Sequence, residues 1–263
     1  MTRANTIWRT VCGTLLFILT AFVTRPIWSQ DSSKSENNVK IRAAVFRDSG
    51  ASEMCAFSTL QILNNENDFL AEYVSAKDIQ DGKLRDYDVV VFPGGTASGE
   101  RRALDKTGWK RLIEFLNNGG GYYGTCAGAY LALVNLSREE SSLIDAELQE
   151  GEWERGEAVL KIELTEEGRE LLGGTNELLD VVYQNGPVVH PANYEKLKPY
   201  SVIAFFRTEI AENNAPKGVQ VNSPAILYGA YGKGRVVISS PHPELTPNLN
   251  YFVPRLVKFA AQK

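Results

Sequence analysis

The stretch "GGGYYGTCAGAYLAL" (Gly119–Leu133) sets Cys126 between Gly124 and Gly128. The segment "GYYGT" before the cysteine is predicted to be a buried strand, and the small and apolar residues of "AGAYLAL" after it predict a packed helix. The pattern glycine–x–cysteine–x–glycine at a strand-to-helix turn is typical of a nucleophile elbow, whose strained backbone needs glycine on both sides. The same pattern also fits a small buried cysteine in a tight packing turn. The predicted strand and helix favour the nucleophile.

Strands and helices alternate around this turn. Continuous apolar runs predict the strands, and apolar residues spaced as on one helix face predict the helices between them. The predicted strands are "VKIRAAVF" (39–46), "AEYVSA" (71–76), "YDVVVFPGG" (87–95) and "GYYGT" (121–125). This alternation predicts an α/β fold with a doubly wound, mostly parallel sheet. Sites of such sheets lie at the carboxyl ends of the strands, where the loops "RDSGAS", "PGGTASG" and "GTCAG" are predicted to meet.

An acidic stretch from Ser137 to Gly174 interrupts the alternation. It contains a short β segment, a strand at "AVLKIEL" (158–164) and a helical turn at "EEGRELL" (166–172). Because charged residues are frequent throughout, this stretch is predicted to be an insertion on the surface whose charges form a solvated face.

The N-terminus differs from the rest of the chain. Arg3 and Arg9 precede a short apolar run, "VCGTLLFILTAFV" (11–23), and a polar segment follows it. This order is typical of a secretory signal peptide, and the run is short for a membrane span. We therefore expect a signal peptide at 1–30, a disordered linker at 31–38 and one α/β domain at 39–263. The protein is expected to be exported without stable membrane insertion, an N-terminal membrane anchor being the alternative.

The overall composition is that of a globular protein. Hydrophobic residues make up 43% of the 263 residues and charged residues 23%, with a formal net charge of −4. Basic residues do not cluster among aromatic ones, so nucleic-acid binding is not expected. With two histidines and scattered carboxylates, the sequence predicts neither a metal site nor a cofactor.

A thiol nucleophile needs a base, and the chain has only two histidines. His242 lies in "SPHPEL", directly after the predicted strand "RVVIS", and Glu244 follows two residues later. In an extended turn this spacing lets the glutamate orient the imidazole, as the third member of a catalytic triad does. A solvated loop histidine is the alternative for His242. His190 is expected to have a structural role or a role at the rim of the site.

Backbone and side-chain groups near the elbow are further candidates. The N–H of Ala127 and those of Gly94 and Gly95 are placed to receive an oxyanion. The "QNGP" segment, with Asn185 and Gly186, is expected to hold a ligand through its backbone amides.

Two side chains of the segment that follows the first strand allow two interpretations each. Glu53 could bind a substrate amine or set the protonation of the thiol, or it could simply favour the helix dipole. Cys55 is predicted to be a buried core cysteine, and a disulfide with Cys126 in an oxidising compartment is the alternative.

Four ordered stretches carry a family resemblance: "VVVFPGGTASGE", "GGGYYGTCAGAYLA", "VYQNGPVV" and "GKGRVVISSPHPEL". Together they resemble the biotin–protein ligase N-terminal-domain family, within the class I glutamine amidotransferase-like superfamily. The resemblance extends from Val39 to the C-terminus. It implies a flavodoxin-like sandwich with Cys126, His242 and Glu244 at the site. It does not imply biotin ligation, because that chemistry belongs to a separate catalytic domain.

Two classes of function follow from these motifs. In the first, the chain is a thiol hydrolase or acyl-transfer enzyme that acts on a small amide or peptide-like substrate with a Cys-His-Glu triad. In the second, it is a non-catalytic protein that binds a small anionic or amide ligand in the pocket that an amidotransferase uses for catalysis.

Overall fold

The computed structural model describes residues 39–133, 142–149 and 154–262. The predicted signal peptide (1–30) and linker (31–38) lie outside the described residues. No helix within the described ranges has the length and apolar character that a membrane crossing requires.

The strands are β1 (Ile41–Phe46), β2 (Phe69–Val74), β3 (Val89–Phe92), β4 (Gly121–Thr125), β5 (Ala146–Leu148), β6 (Glu157–Leu164), β7 (Leu179–Gln184), β8 (Val189–Pro191), β9 (Ser201–Phe206), β10 (Pro224–Tyr231) and β11 (Gly234–Ser239).

The helices lie between these strands. The α-helices are α1 (Glu53–Asn64), α2 (Ala76–Gln80), α3 (Ala97–Asn117), α4 (Ala127–Leu131), α5 (Glu166–Leu172) and α6 (Phe252–Ala261). Short 3₁₀ helices are present at Lys83–Asp86 and Pro243–Leu245.

One large sheet organises the fold, with the strand order β2-β1-β3-β4-β11-β10-β9-β6-β7. The pairs among β2, β1, β3, β4 and β11 are parallel, and the remaining strands extend the sheet in antiparallel pairs. Strands β5 and β8 form a separate two-stranded sheet. The predicted α/β fold with a doubly wound sheet is confirmed.

Strand β3 shows why its sequence is continuously apolar. Val89 and Val91 pack into the core that contains residues of α1 and α6, whereas Val90 and Phe92 pack against α3 and α4 on the opposite face. Successive side chains of a strand point to opposite faces, so a strand covered by helices on both sides needs apolar residues at every position.

Strand β6 corrects the expectation of a surface insertion. It pairs with β7 and β9 inside the main sheet, and its Leu160, Ile162 and Leu164 are buried in the core. Its charged residues alternate with these apolar ones and therefore occupy the other face of the sheet. The alternation, rather than the total charge, identifies the segment as a half-buried strand.

The register of the central strands brings the site together. Thr125, the last residue of β4, is paired with Ser239, the last residue of β11. In the neighbouring pair, Phe92 at the end of β3 lies opposite Gly124. The loops that carry Cys126, His242 and Gly94 therefore leave the sheet at adjacent points of the same edge, as expected for a doubly wound sheet.

Candidate active site

Cys126 occupies a strained turn between β4 and α4. Its φ is 50° and its ψ −100°, a region that side-chain-bearing residues rarely adopt. The flanking glycines leave room for the turn: a Cβ on Gly124 would lie 2.5 Å from the carbonyl oxygen of Gly128, and a Cβ on Gly128 would lie 2.1 Å from that of Phe92. The N–H of Cys126 donates to the carbonyl of Ser239 at 2.9 Å, which fixes the turn against β11.

His242 and Glu244 form a buried pair next to this turn. Nδ1 of His242 lies 2.7 Å from Oε1 of Glu244, and the two residues are 2% and 5% exposed. His242 immediately precedes the 3₁₀ helix, so the tight turn brings the carboxylate back to the ring. The loop is held in place because the His242 N–H donates to Val182 at 2.8 Å and the Thr246 hydroxyl donates to the His242 carbonyl at 2.7 Å.

The electrostatics of the pair favour an imidazolium. Burial of the ring lowers the pKa of His242, but the charge of Glu244, with contacts to Cys126 and Cys55, outweighs burial and raises the pKa well above its usual value. Burial, and then the nearby charge of Glu244, also raise the pKa of Tyr123 far above that of a free tyrosine. The buried carboxylate of Glu244 thus raises the pKa of both His242 and Tyr123.

The thiol of Cys126 faces two acceptors. Its Sγ donates to the carbonyl oxygen of Gln184 at 3.4 Å, and its interaction with the ring is one of the contacts that raise the pKa of His242. Nε2 of His242 is buried and has no hydrogen-bond partner among the described residues. The imidazole nitrogen that a thiol base requires is therefore available, and catalytic hydrogen bonds are often long before substrate binds.

Two of the three predicted oxyanion positions, Ala127 and Gly94, adjoin this centre. Ala127 is the first residue of α4, and within the described ranges its N–H has no backbone partner. Gly94 lies against the imidazole, since a Cβ there would be 2.7 Å from Cε1 of His242. Gly95 has a φ of 149° and forms a single β-bridge with Ala51.

The Asn185–Gly186 turn closes another side of the site. Asn185 has a φ of 52°, and its side-chain oxygen accepts from the Gly156 N–H at 2.7 Å. A Cβ on Gly186 would lie 2.1 Å from the carbonyl oxygen of Ser240, so the turn packs directly on the loop of His242. The Tyr130 hydroxyl, from the elbow helix, donates to the Asn185 carbonyl at 2.9 Å.

Glu53 and His190, two further candidate side chains, contact residues outside the Cys126–His242–Glu244 cluster. The carboxylate of Glu53 pairs with Arg47 at 2.7 Å and its side chain is 73% exposed. His190 lies in β8, with Nδ1 3.7 Å from Oε1 of Glu147. The structure thus brings Cys126, His242 and Glu244 together and places Glu53 and His190 in separate contacts with Arg47 and Glu147.

Cys55 has a position that the sequence did not predict. Its Sγ lies 3.9 Å from Nδ1 of His242, in the first turn of α1, where the Ser52 hydroxyl accepts from the Cys55 N–H at 3.4 Å. Cys55 and Cys126 are both free and buried. One feature of the sequence could have indicated this position: Cys55 lies at the start of the helix after the first strand, and that helix start was expected at the same edge of the sheet as the elbow.

Arg155 is a second unpredicted neighbour of the site. Its guanidinium is buried, lies 3.7 Å from Glu209 and donates to the carbonyl of Pro216 at 3.0 Å. Its positive charge acts on Tyr130 and Tyr183, the two tyrosines next to Cys126. It was missed because it stands in the acidic stretch that was interpreted as a solvated insertion.

Known proteins share sequence with this chain. The family model described as "Biotin-protein ligase, N terminal" matches residues 41–143. The biotin–protein ligase of Schizosaccharomyces pombe is 22% identical over 227 residues, which cover 77% of this chain and 33% of that protein. The pyridoxal 5'-phosphate synthase subunit PdxT of Halalkalibacterium halodurans is 33% identical over 90 residues, which cover 33% of this chain and 46% of the subunit. The matched regions thus span about a third and about half of these relatives.

Solved structures share the fold. A chain of PurLQS from Thermotoga maritima has a TM-score of 0.57 at 18% identity, covering 85% of this chain and 98% of its own. A ThuA-like protein from Bacteroides uniformis has a TM-score of 0.56 at 14% identity, with coverages of 85% and 91%. At these identities the likeness concerns the fold alone. The family match confirms the resemblance seen in the sequence: residues 41–143 are similar to the biotin–protein ligase N-terminal family, and the chain shares its fold with the PurLQS and ThuA-like structures.

Proposed function

We propose that this chain is a cysteine-dependent hydrolase or acyl-transfer enzyme with Cys126 as nucleophile, His242 as base and Glu244 as the residue that orients the base. The observation that carries the proposal is the buried 2.7 Å contact between His242 and Glu244 beside the cysteine elbow. A nucleophile, a base and an orienting carboxylate in this order are the elements of a triad, whatever the fold.

The proposed reaction begins with transfer of the Cys126 thiol proton to Nε2 of His242. The sulfur attacks the carbonyl carbon of the amide, and the N–H of Ala127, with a backbone N–H of the Gly94–Gly95 loop, stabilises the oxyanion. The imidazolium returns the proton to the leaving amine as the carbon–nitrogen bond breaks. Water, or another acceptor, then cleaves the thioester. Glu244 stabilises the imidazolium in both proton transfers.

The proposed substrate is a small amide or peptide-like compound. The relationship to amidotransferase-like folds supports amide chemistry, and the exposed fraction of Cys126, 8%, supports a small acyl group. The proposal places the protein outside the cytosol, because the N-terminal sequence has the pattern of a secretory signal peptide.

The test is release of ammonia or amine from a panel of glutamine, γ-glutamyl compounds and short peptides. We expect Cys126→Ala and His242→Ala to reduce turnover by about 10³-fold or more, and Glu244→Gln to reduce it less. His190→Ala is the matched control, because His190 contacts Glu147 on a separate sheet. Turnover that survives Cys126→Ala, or that is lost in His190→Ala and kept in His242→Ala, would contradict the proposal.

A non-catalytic binding protein is the second candidate. The contact that favours it is the hydrogen bond from Cys126 Sγ to the carbonyl of Gln184, which uses the thiol proton without the imidazole. Alkylation by iodoacetamide separates the two. An activated nucleophile makes Cys126 react much faster than Cys55, and more slowly after His242→Ala, whereas a structural thiol reacts slowly in both proteins.

A further inference from the structure

Three groups that can ligate a metal ion meet at His242. The Sγ of Cys55, a nitrogen of His242 and a carboxylate oxygen of Glu244 all lie within 4.8 Å of one another, and all three residues are buried. The sequence predicted no such cluster, because the cysteine and the H-x-E pair are far apart in the chain. The fold assembles it from the first turn of α1 and the loop after β11.

We propose that Cys55, His242 and Glu244 form a binding site for a thiophilic divalent cation of the Zn²⁺ class. Thiolate, imidazole and carboxylate are the three ligand types that Zn²⁺ takes from proteins, and three protein ligands leave a fourth position for water. Within the described residues, this is the group whose donor atoms are close enough to share one ion.

The distances between the donors are close to those that a tetrahedral ion imposes. Metal–ligand bonds of about 2.0–2.3 Å place neighbouring ligand atoms roughly 3.3–3.8 Å apart. Nδ1 of His242 lies 3.9 Å from Sγ of Cys55 and 2.7 Å from Oε1 of Glu244. Coordination therefore requires the carboxylate to withdraw from the ring by roughly half an ångström to one ångström, on the same geometry.

The second carboxylate oxygen is available for this movement. Oε2 of Glu244 is buried and has no hydrogen-bond partner among the described residues. A buried polar atom without a partner is costly and calls for an explanation such as an ion or a water molecule. A cation between the three side chains would satisfy the carboxylate and neutralise the buried charge.

The balance of protons shows what binding does to the pair. The ion takes the place of the proton on Nδ1 of the neutral His242 ring and of the proton on Sγ of Cys55; the ring proton moves to Nε2, and the thiol proton goes to the solvent. Nε2 then carries the single proton of the ring and cannot accept one from Cys126. The cation is therefore an inhibitor of the triad; this consequence rests on the proposed function, whereas binding itself does not.

The test measures binding directly, in the full chain with Cys12→Ser so that Cys55 and Cys126 are the remaining thiols. Co²⁺ is added and the thiolate-to-metal absorption band is recorded, and Zn²⁺ affinity is measured by competition with a chromophoric chelator. We expect one ion per chain, a band that persists in Cys126→Ser and is lost in Cys55→Ser, and a Zn²⁺ affinity about tenfold or more weaker in Cys55→Ser and Glu244→Gln. His190→Ala should bind as the parent does.

Several results would overturn the site. They are the absence of tight binding in the parent, equal Zn²⁺ affinity in the parent and Cys55→Ser, and loss of the Co²⁺ band in Cys126→Ser. If Cys55→Ser does not fold, Cys126→Ser decides alone, because Cys55 is then the remaining thiol. Since Cys126→Ser lacks the proposed nucleophile, its metal binding is measured independently of any catalytic activity.

Discussion

Burial of the charged His242–Glu244 pair has a high cost in free energy, and this cost is informative about the role of the pair. Taking two charges out of water costs several kcal/mol per ion, and a buried ion pair often contributes little net stability. Here the two side chains are almost completely enclosed and the pKa of His242 is nevertheless raised, after the opposing effect of burial, chiefly by the charge of Glu244. A pair kept charged at such a cost, beside a strained cysteine, supports the proposed catalytic role.

This pair predicts a pH-dependent stability. Because the folded state raises the pKa of His242 above its unfolded value of about 6.5, the pair contributes its full stabilisation below that pH. The contribution is lost as the pH rises through the folded pKa. Glu244→Gln removes the cause, so the pKa of His242 should fall in that variant, as followed by NMR of the imidazole protons.

Urea unfolding across the pH range measures the same effect. The difference in unfolding free energy between the parent and Glu244→Gln should be largest in acid and should shrink as the pH rises. An equal pKa for His242 in the two proteins, or a difference that grows with pH, would contradict this account. His190→Ala serves as a control for the other imidazole, since His190 lies in a different sheet.

At the level of elements, the elbow depends on how closely α4 approaches β3. The Gly128 N–H donates to the Pro93 carbonyl at 3.3 Å, and the Tyr122 hydroxyl donates to the Gly128 carbonyl at 2.6 Å. These two hydrogen bonds hold the start of α4 against the residues at the ends of β3 and β4. Any side chain at this position would separate the helix from the strand and move Cys126.

We therefore expect Gly128→Ala to destabilise the protein strongly. The added methyl group would lie 2.1 Å from a backbone oxygen of Phe92, which cannot move without breaking the strand end. A loss of about 2–4 kcal/mol in unfolding free energy is expected from such a clash. Gly174→Ala is the matched control, because its methyl group would meet only the side-chain Cδ1 of Leu164, at 3.0 Å. Similar urea midpoints for the two variants would show that the elbow can accommodate a methyl group at position 128.

The sequence predicted the elbow and the H-x-E loop because local geometry determines them. A cysteine at positive φ needs small neighbours, and two side chains separated by one residue in an extended turn can meet. The partner on α1 could not be predicted in this way. Glu53 and Cys55 are two positions apart on a helix and so point in different directions. Which of the two side chains faces His242 depends on how the helix is rotated about its axis against the sheet. In the structure, Cys55 is the one that faces His242.

At the level of the whole molecule, the antiparallel strands are part of the site. The carbonyl of Gln184, which ends β7, accepts a hydrogen bond from the Cys126 thiol, and the Asn185–Gly186 turn that follows packs on the His242 loop. Strand β6 holds β7 in the sheet. The parallel half of the sheet could be predicted from the sequence. Strand β6 was expected at the surface instead, because the high density of charge in this segment obscured its two-residue apolar period.

The place of β6 in the core can be tested by shortening one buried side chain of this strand. Ile162 is fully buried and is paired with Leu179 of β7 and Phe206 of β9. Ile162→Ala should lower the unfolding free energy by about 2–5 kcal/mol, because it leaves a cavity between three strands. Val159 lies on the same strand but is 64% exposed, so Val159→Ala should change stability by less than about 0.5 kcal/mol. Equal urea midpoints for the two variants would contradict the burial of β6 in the core and support a position at the surface. A selective loss in Ile162→Ala would show that this segment, although rich in charge, is a structural strand of the main sheet.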